Sequence, residues 1–510
     1  MSFDIRKYIP FLGKTKKTSN SLQAIDGYEE YRIPLSVINI SYSFLSWEEL
    51  NSSTIIQLIS EELKVNSTIV KEDIDNILKG MRTDLICCIE YPYVEEYYRD
   101  CYYSYYSRKH NIINRNCFRI SFFDSSVTES NFYSSDLSDK FYGYIVCRPT
   151  PRRIIGYTFL SPQIYKENNF SICICKRDVS IMGRILEVSG FPFCGQDGEM
   201  NTCAENAIVI MFDYFSRRYN KYSRVLPSQI ASLMSDSVLN RKQPSVGLDM
   251  DTVANIIETR GMATRRYIRQ DENKPVAYGI KPEKFLQILH IYIESGIPIY
   301  ASSSSHVFLI IGRENLYLEN GAKIVCMNDN EYPYSFMESM DSIDEFIVPI
   351  SENILLNADY LDFDKCIKNI GELFPKTEFL REGIEYFHRI YMTTSRSYKA
   401  YIANSELSKE NKDLAVSIAM PKFVWVCEFI SKGLIENGLN STYIDLAVVL
   451  DATDSSLSYN HLLMLKSREK MVIPCTDKTR FQRKQYSIFD SNESMLPFAR
   501  NLKSKHTQWK

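Results

Sequence analysis

The sequence predicts an α+β protein in three regions: an N-terminal α+β region (1–185), a central region of helices followed by strands (186–355), and a C-terminal α/β region (356–510). Three observations carry this expectation. At 510 residues the chain is too long for one ordinary hydrophobic core. Apolar residues make up 45% and charged residues 24%, the balance of a globular chain rather than a disordered one. Apolar spacing also alternates between helical and strand periods in blocks, with no internal repeat.

Composition bounds the function classes. A net charge of −3 gives no general pull toward nucleic acid or anionic lipid. No apolar run reaches the roughly 18 residues that span a bilayer, and the N-terminus lacks a signal-peptide core. Thirteen cysteines, odd in number and irregularly spaced, argue against a secreted disulfide framework. The reading is a cytoplasmic protein with reduced thiols. Glycines fit neither G-x-G-x-x-G nor G-x-x-x-x-G-K, and no cofactor is expected.

In the first region, "SWEELNSSTIIQLISEEL" reads as one amphipathic helix, and "KEDIDNILKGM" as a second ending at Gly80. Residues 91–110 carry eight tyrosines on an expected helix, read as aromatic packing against the next region. "NNFSICICKRDVSIM" alternates, so Cys173 and Cys175 are expected on one face of a single strand. Two ligands at strand spacing, with no Cys-x-x-Cys or His pair after them, make a poor zinc site, and no metal is expected.

The central region opens with "CAENAIVIMFDYFSRRY", apolar nearly all round, as in a helix buried on every side. Further helices follow, one closing on Gly261, and then the strands "IPIYASS", "HVFLIIGR" and "AKIVCMND". Past residue 360, "DFDKCIKNIGELF" and "REGIEYFHRIYMTTS" read as helices, and "YIDLAVVLDAT" and "HLLMLKSREKMVIP" as strands. Trp425 is expected in the core, Asp451 and Asp454 at a turn, and the basic tail in solvent.

Chemistry converges on Cys203, which stands at the expected start of the buried helix behind Asn201 and Thr202 as possible caps. Unpaired N–H groups and the positive dipole end there favour a thiolate. Of six histidines, His306 differs from the rest: it opens a strand after "ASSSS", where an imidazole projects into a cleft. Asn328 and Asp329 end the next strand, and strand alternation allows only one of them to orient the ring.

"GQDGEMNTCAENA", "ESGIPIYASSSSHVFLIIGR" and "KIVCMNDNEYPY" together resemble papain-like cysteine peptidases, especially the bacterial double-glycine (C39-like) branch, over about 190–350. The resemblance implies a helix bundle packed on an antiparallel sheet. It implies Cys203 as nucleophile, His306 as general base, Asp329 as orienting residue with Asn328 as competitor, and Gln196 as oxyanion donor. Gln196 precedes Cys203 by one residue more than the family usually has, and Ala204 stands where Gly is common. The flanks resemble uncharacterised bacterial proteins. The expected function is hydrolysis of a peptide, isopeptide or related amide through a Cys203 thioester, in a latent regulatory or antiviral defence effector. Expected partners are a protein or peptide substrate and a regulatory protein, with neither membrane nor nucleic acid. Two alternatives stay open: transglutaminase- or deamidase-type acyl transfer at the same site, and a non-catalytic papain-like interaction module.

Overall fold

Three antiparallel sheets order the chain. The computed structural model describes residues 41–505 apart from 201–202, 235–246, 271–277, 305, 315–322, 338, 362–367, 369, 373, 375–378, 381–382, 433–442, 455–460 and 475–485. The chain is mixed α and β throughout.

The first sheet is built from β1 (Ser41–Ser46), β2 (Leu85–Tyr93), β3 (Cys117–Asp124), β4 (Phe141–Cys147), β5 (Ile155–Leu160), β7 (Cys175–Ile181) and β8 (Arg184–Cys194), in the order β1-β2-β3-β4-β5-β8-β7. Its helices are α1 (Trp47–Leu50), α2 (Ser53–Leu63), α3 (Ser67–Leu78) and α4 (Glu96–Ser104). The single helix expected over 47–63 is broken in two, because the Ser52 hydroxyl accepts the Ile55 N–H and starts a new helix. The tyrosine segment is helical only from Glu96, since Tyr91 and Tyr93 lie on β2. Tyr97, Tyr98 and Tyr106 are buried, as aromatic packing requires.

The second sheet joins β9 (Ala263–Ile268), β10 (Ile299–Ser303), β11 (His306–Glu314), β12 (Ile324–Met327), β13 (Ser335–Met337) and β14 (Glu345–Ile350), in the order β13-β12-β11-β10-β14-β9. A short β6 (Phe170–Ile172) also pairs with β11. The strand expected through both Cys173 and Cys175 is therefore divided: β6 belongs to the second sheet and β7 to the first. Gly312 permits this, for a Cβ there would stand 2.1 Å from the Ser171 carbonyl oxygen.

Between the two sheets runs α5 (Cys203–Arg218), packed on β8 and β11. Every residue from Ala204 to Phe215 is buried, as the all-round apolar pattern required. Next come α6 (Pro227–Leu233), α7 (Met250–Thr259) and α8 (Pro282–Glu294). Gly261 follows α7 with φ +86°, a left-handed conformation that ends the helix.

The third sheet runs in chain order through β15 (Tyr386–Thr394), β16 (Phe423–Ser431), β17 (Leu446–Asp451), β18 (Leu462–Ser467), β19 (Lys470–Pro474) and β20 (Tyr486–Asp490), with α9 (Ser395–Ala403) and α10 (Lys409–Ser417) after its first strand. The helix expected over "REGIEYFHRIYMTTS" is strand β15 from Tyr386 on, paired with β16 over its whole length. Tertiary pairing overrides local pattern here, and His388 stands on a strand. Most of "DFDKCIKNIGELF" lies outside the described residues. Trp425 is fully buried and donates to the Leu356 carbonyl over 2.9 Å, tying the third sheet to the segment that follows β14.

The basic tail is not simply solvated where it is described. Lys503 exchanges backbone hydrogen bonds with Ile172 of β6 (2.8 and 2.9 Å), so the chain end straps back onto the second sheet. Among the described residues, no helix is long and apolar enough to cross a membrane.

Candidate functional site

The site forms where the start of α5 meets the paired ends of β11 and β12. Cys203 is the one cysteine among the described residues that is not buried. The backbone N–H groups of Val307 and Ala204 donate toward its sulfur, so the thiol lies alongside the residue that follows His306. Those donors favour a thiolate, but burial outweighs them and pushes the thiol above its ordinary value. The helix N-terminus alone does not activate this cysteine. Asn201 and Thr202 lie outside the described residues.

His306 opens β11 as expected, and its ring is engaged on both nitrogens. Nε2 lies 2.6 Å from Asn328 Oδ1 and 3.7 Å from Asp329 Oδ1. Both neighbours reach the same nitrogen, contrary to the alternation argument. The reason is local: β12 ends at Met327, and residues 328–330 form a turn in which strand alternation no longer applies. Asn328 makes the direct hydrogen bond, and Asp329 supplies charge behind it.

Asp329 is buried, and Asn206 Nδ2 donates to its Oδ2 over 3.1 Å. Burial raises its carboxyl above the usual range, against the opposing pull of Asn206 and of His306. Tyr300 on β10 is buried within the electrostatic reach of Cys203, Glu205 and Asp329, and burial drives its phenol well above the ordinary value.

His306 Nδ1 faces Asn330 Nδ2 at 3.3 Å. A carboxamide nitrogen only donates, so Nδ1 accepts, and in the neutral ring the proton sits on Nε2 and is donated to Asn328. This tautomer leaves Nδ1 as the basic nitrogen. Gln196 Nε2 in turn donates to Asn330 Oδ1. Gln196 thus joins the imidazole through Asn330.

The loop that carries Gln196 is held by side chains of the N-terminal region. Arg148 donates to the Gly195 carbonyl (2.6 Å), and Arg152 to that of Gly198 (2.9 Å). Tyr106 donates to Asp197 Oδ2 (2.9 Å), while Asp197 Oδ1 accepts the N–H groups of Glu199 (2.9 Å) and Met200 (2.7 Å). Lys109 pairs with Glu199.

Asn206 and Asn330 were not singled out from the sequence, although signals existed. Asn206 lies one helical turn after Cys203 and so faces the same way. Asn330 completes the run "NDN" whose first two members were already candidates. Tyr106 and Arg148 had no local signal at all.

Among the described residues, no group of three or more His, Cys, Asp or Glu side chains is arranged to hold a metal ion. No protein-family model matches this chain, and no curated protein matches it.

Proposed function

We propose that the chain is a cysteine hydrolase that cleaves an amide bond through a thioester on Cys203. The observation that carries this reading is the state of His306. Nε2 is tied to Asn328 with Asp329 behind it, and the tautomer so selected leaves Nδ1 basic on the residue just before Val307, whose amide donates toward the Cys203 sulfur. A general base needs this division of labour, one nitrogen anchored and the other unprotonated, able to take the nucleophile's proton once Asn330 moves off it.

In the reaction, His306 Nδ1 takes the Cys203 proton, and the sulfur adds to the amide carbon. The oxyanion is met by donors at the helix start and by the Gln196 carboxamide. His306 returns the proton to the leaving nitrogen, and water releases the acyl group from the sulfur. The buried aspartate stabilises the imidazolium that forms in between. The order of elements supports the papain-like reading: cysteine opening a helix, histidine opening a strand, and asparagine and aspartate closing the next.

The test is turnover of amide substrates by wild type, Cys203→Ala and His306→Ala. Both variants should keep the wild-type melting curve and lose turnover. Undiminished turnover in either variant would overturn the proposal.

A further inference from the structure

We infer that the Asn330 carboxamide is an internal stand-in for the substrate, and that the site acts on primary carboxamides: glutamine or asparagine side chains of a polypeptide. The inference rests on the thiol hydrolase reading above and narrows it to a substrate class. Two contacts carry it. Asn330 Nδ2 lies 3.3 Å from His306 Nδ1, and Asn330 Oδ1 accepts from Gln196 Nε2.

These are the two contacts a scissile amide has to make. Its nitrogen must face the imidazole that protonates the leaving group, and its carbonyl oxygen must face a fixed donor. What occupies them here is a primary carboxamide on one methylene. Asn330 is exposed, and its backbone N–H is pinned to Asn328 Oδ1 over 3.0 Å, on the turn that also presents Asp329. The first of these contacts keeps Nδ1 occupied and the second holds the carboxamide in place, so an arriving substrate carboxamide displaces its mimic before the thiol can be deprotonated.

The chemistry balances without a co-reactant other than water. The Cys203 thiol gives its proton to Nδ1, the sulfur adds to the carboxamide carbon, and the C–N bond breaks. The nitrogen leaves as ammonia, taking that proton. Water then adds to the thioester carbon, restoring the thiol and leaving a carboxylate.

The experiment uses the full chain as wild type, Asn330→Ala, His306→Ala, Cys203→Ala and the double variant Asn330→Ala/His306→Ala. One readout is the rate of Cys203 alkylation by iodoacetamide at pH 7. The other is ammonia and glycine released from benzyloxycarbonyl-Gln-Gly, with ammonia from casein alongside. Asn330→Ala, at an exposed site, should melt as wild type does. It should alkylate roughly tenfold faster, the factor expected from losing one or two ordinary hydrogen bonds. Ammonia release should rise with it, and glycine should not appear. An unchanged alkylation rate in Asn330→Ala overturns the mimic. Glycine in place of ammonia, or no ammonia from either substrate, overturns the carboxamide class. In the double variant Asn330→Ala/His306→Ala, a Cys203 that alkylates as fast as in Asn330→Ala alone overturns the hydrolase reading itself, and this inference with it.

Discussion

Tyr106 and Asp197 are 91 positions apart in the chain, and the tyrosine hydroxyl donates to Asp197 Oδ2 over 2.9 Å in the interior. Asp197 thereby fastens the Gln196 loop to the first sheet's helical flank, and its other oxygen holds the loop's own backbone. Replacing it by alanine leaves the Tyr106 hydroxyl and two N–H groups without their acceptor. Asp197→Ala should therefore cost about 1–3 kcal/mol of stability. Denaturant unfolding measures this, and turnover should fall further than the stability loss explains because Gln196 loses its footing. Tyr106→Phe, which removes one donor only, should cost about 1 kcal/mol.

The cysteines should separate by reactivity. Burial pushes Cys88, Cys173 and Cys194 up to about 12, whereas Cys203 is only partly buried and has two N–H donors at its sulfur. Peptide mass spectrometry after limiting iodoacetamide should find Cys203 modified first. Its own value is raised, so in the wild-type resting state the rate should climb from pH 6 to 9, about tenfold per unit while the thiol form dominates. A rate already level by pH 6 would mean that His306 holds a thiolate in the resting protein.

Asp329 should trade stability for activity. Its native value lies above the ordinary carboxyl range because the group is buried, so the native state binds this proton more tightly than the unfolded chain does. The stabilisation from the protonated form is full below about pH 4 and is lost as pH rises through the raised native value. At pH 7 the charged carboxylate is a burden on the fold. Asp329→Asn keeps an acceptor for Asn206 and removes the charge, so its Tm at pH 7 should exceed that of wild type. Turnover should drop roughly a hundredfold or more, since the imidazolium loses its counter-charge. A lower Tm for Asp329→Asn would show the carboxylate to be a net stabiliser and would reverse this assignment.

How much of this was legible in the sequence depended on the range of the interactions. The all-round apolar pattern of α5 and the three strands β10 to β12 are local signals, and they place Cys203 at the start of its helix and His306 at the start of its strand, with Asn328 and Asp329 just past the end of β12. The turn at 328–330 was not legible, because a strand pattern does not announce the residue at which its alternation stops. Misreading β15 as a helix has a similar origin: aromatic and β-branched residues in "YFHRIYMTT" suit either period until β16 supplies a partner. The strap of Lys503 on Ile172 and the clamp of Tyr106 on Asp197 join distant segments, and no window of sequence contains both partners.

The shaft of the candidate site is anchored at its far end by Asp213, ten residues along α5 from Cys203 and so about 15 Å away. Its side chain is fully enclosed. Tyr157 donates to it over 2.5 Å, Arg217 over 3.1 Å, and Arg177 stands 3.6 Å away while donating to the Tyr157 hydroxyl over 2.5 Å. Tyr97 stacks on Tyr157 with centroids 4.8 Å apart. One enclosed carboxylate thus compensates two guanidinium groups that are themselves only partly exposed. Asp213→Ala leaves both cations without it and should cost about 3–5 kcal/mol. Asp213→Asn retains the acceptor for Tyr157 but not the charge and should cost less. Urea unfolding of the two variants checks that order. If α5 pivots when this anchor is lost, turnover should fall in Asp213→Ala at urea concentrations where the protein is still folded. If the helix is held by its apolar faces alone, only the unfolding midpoint should move.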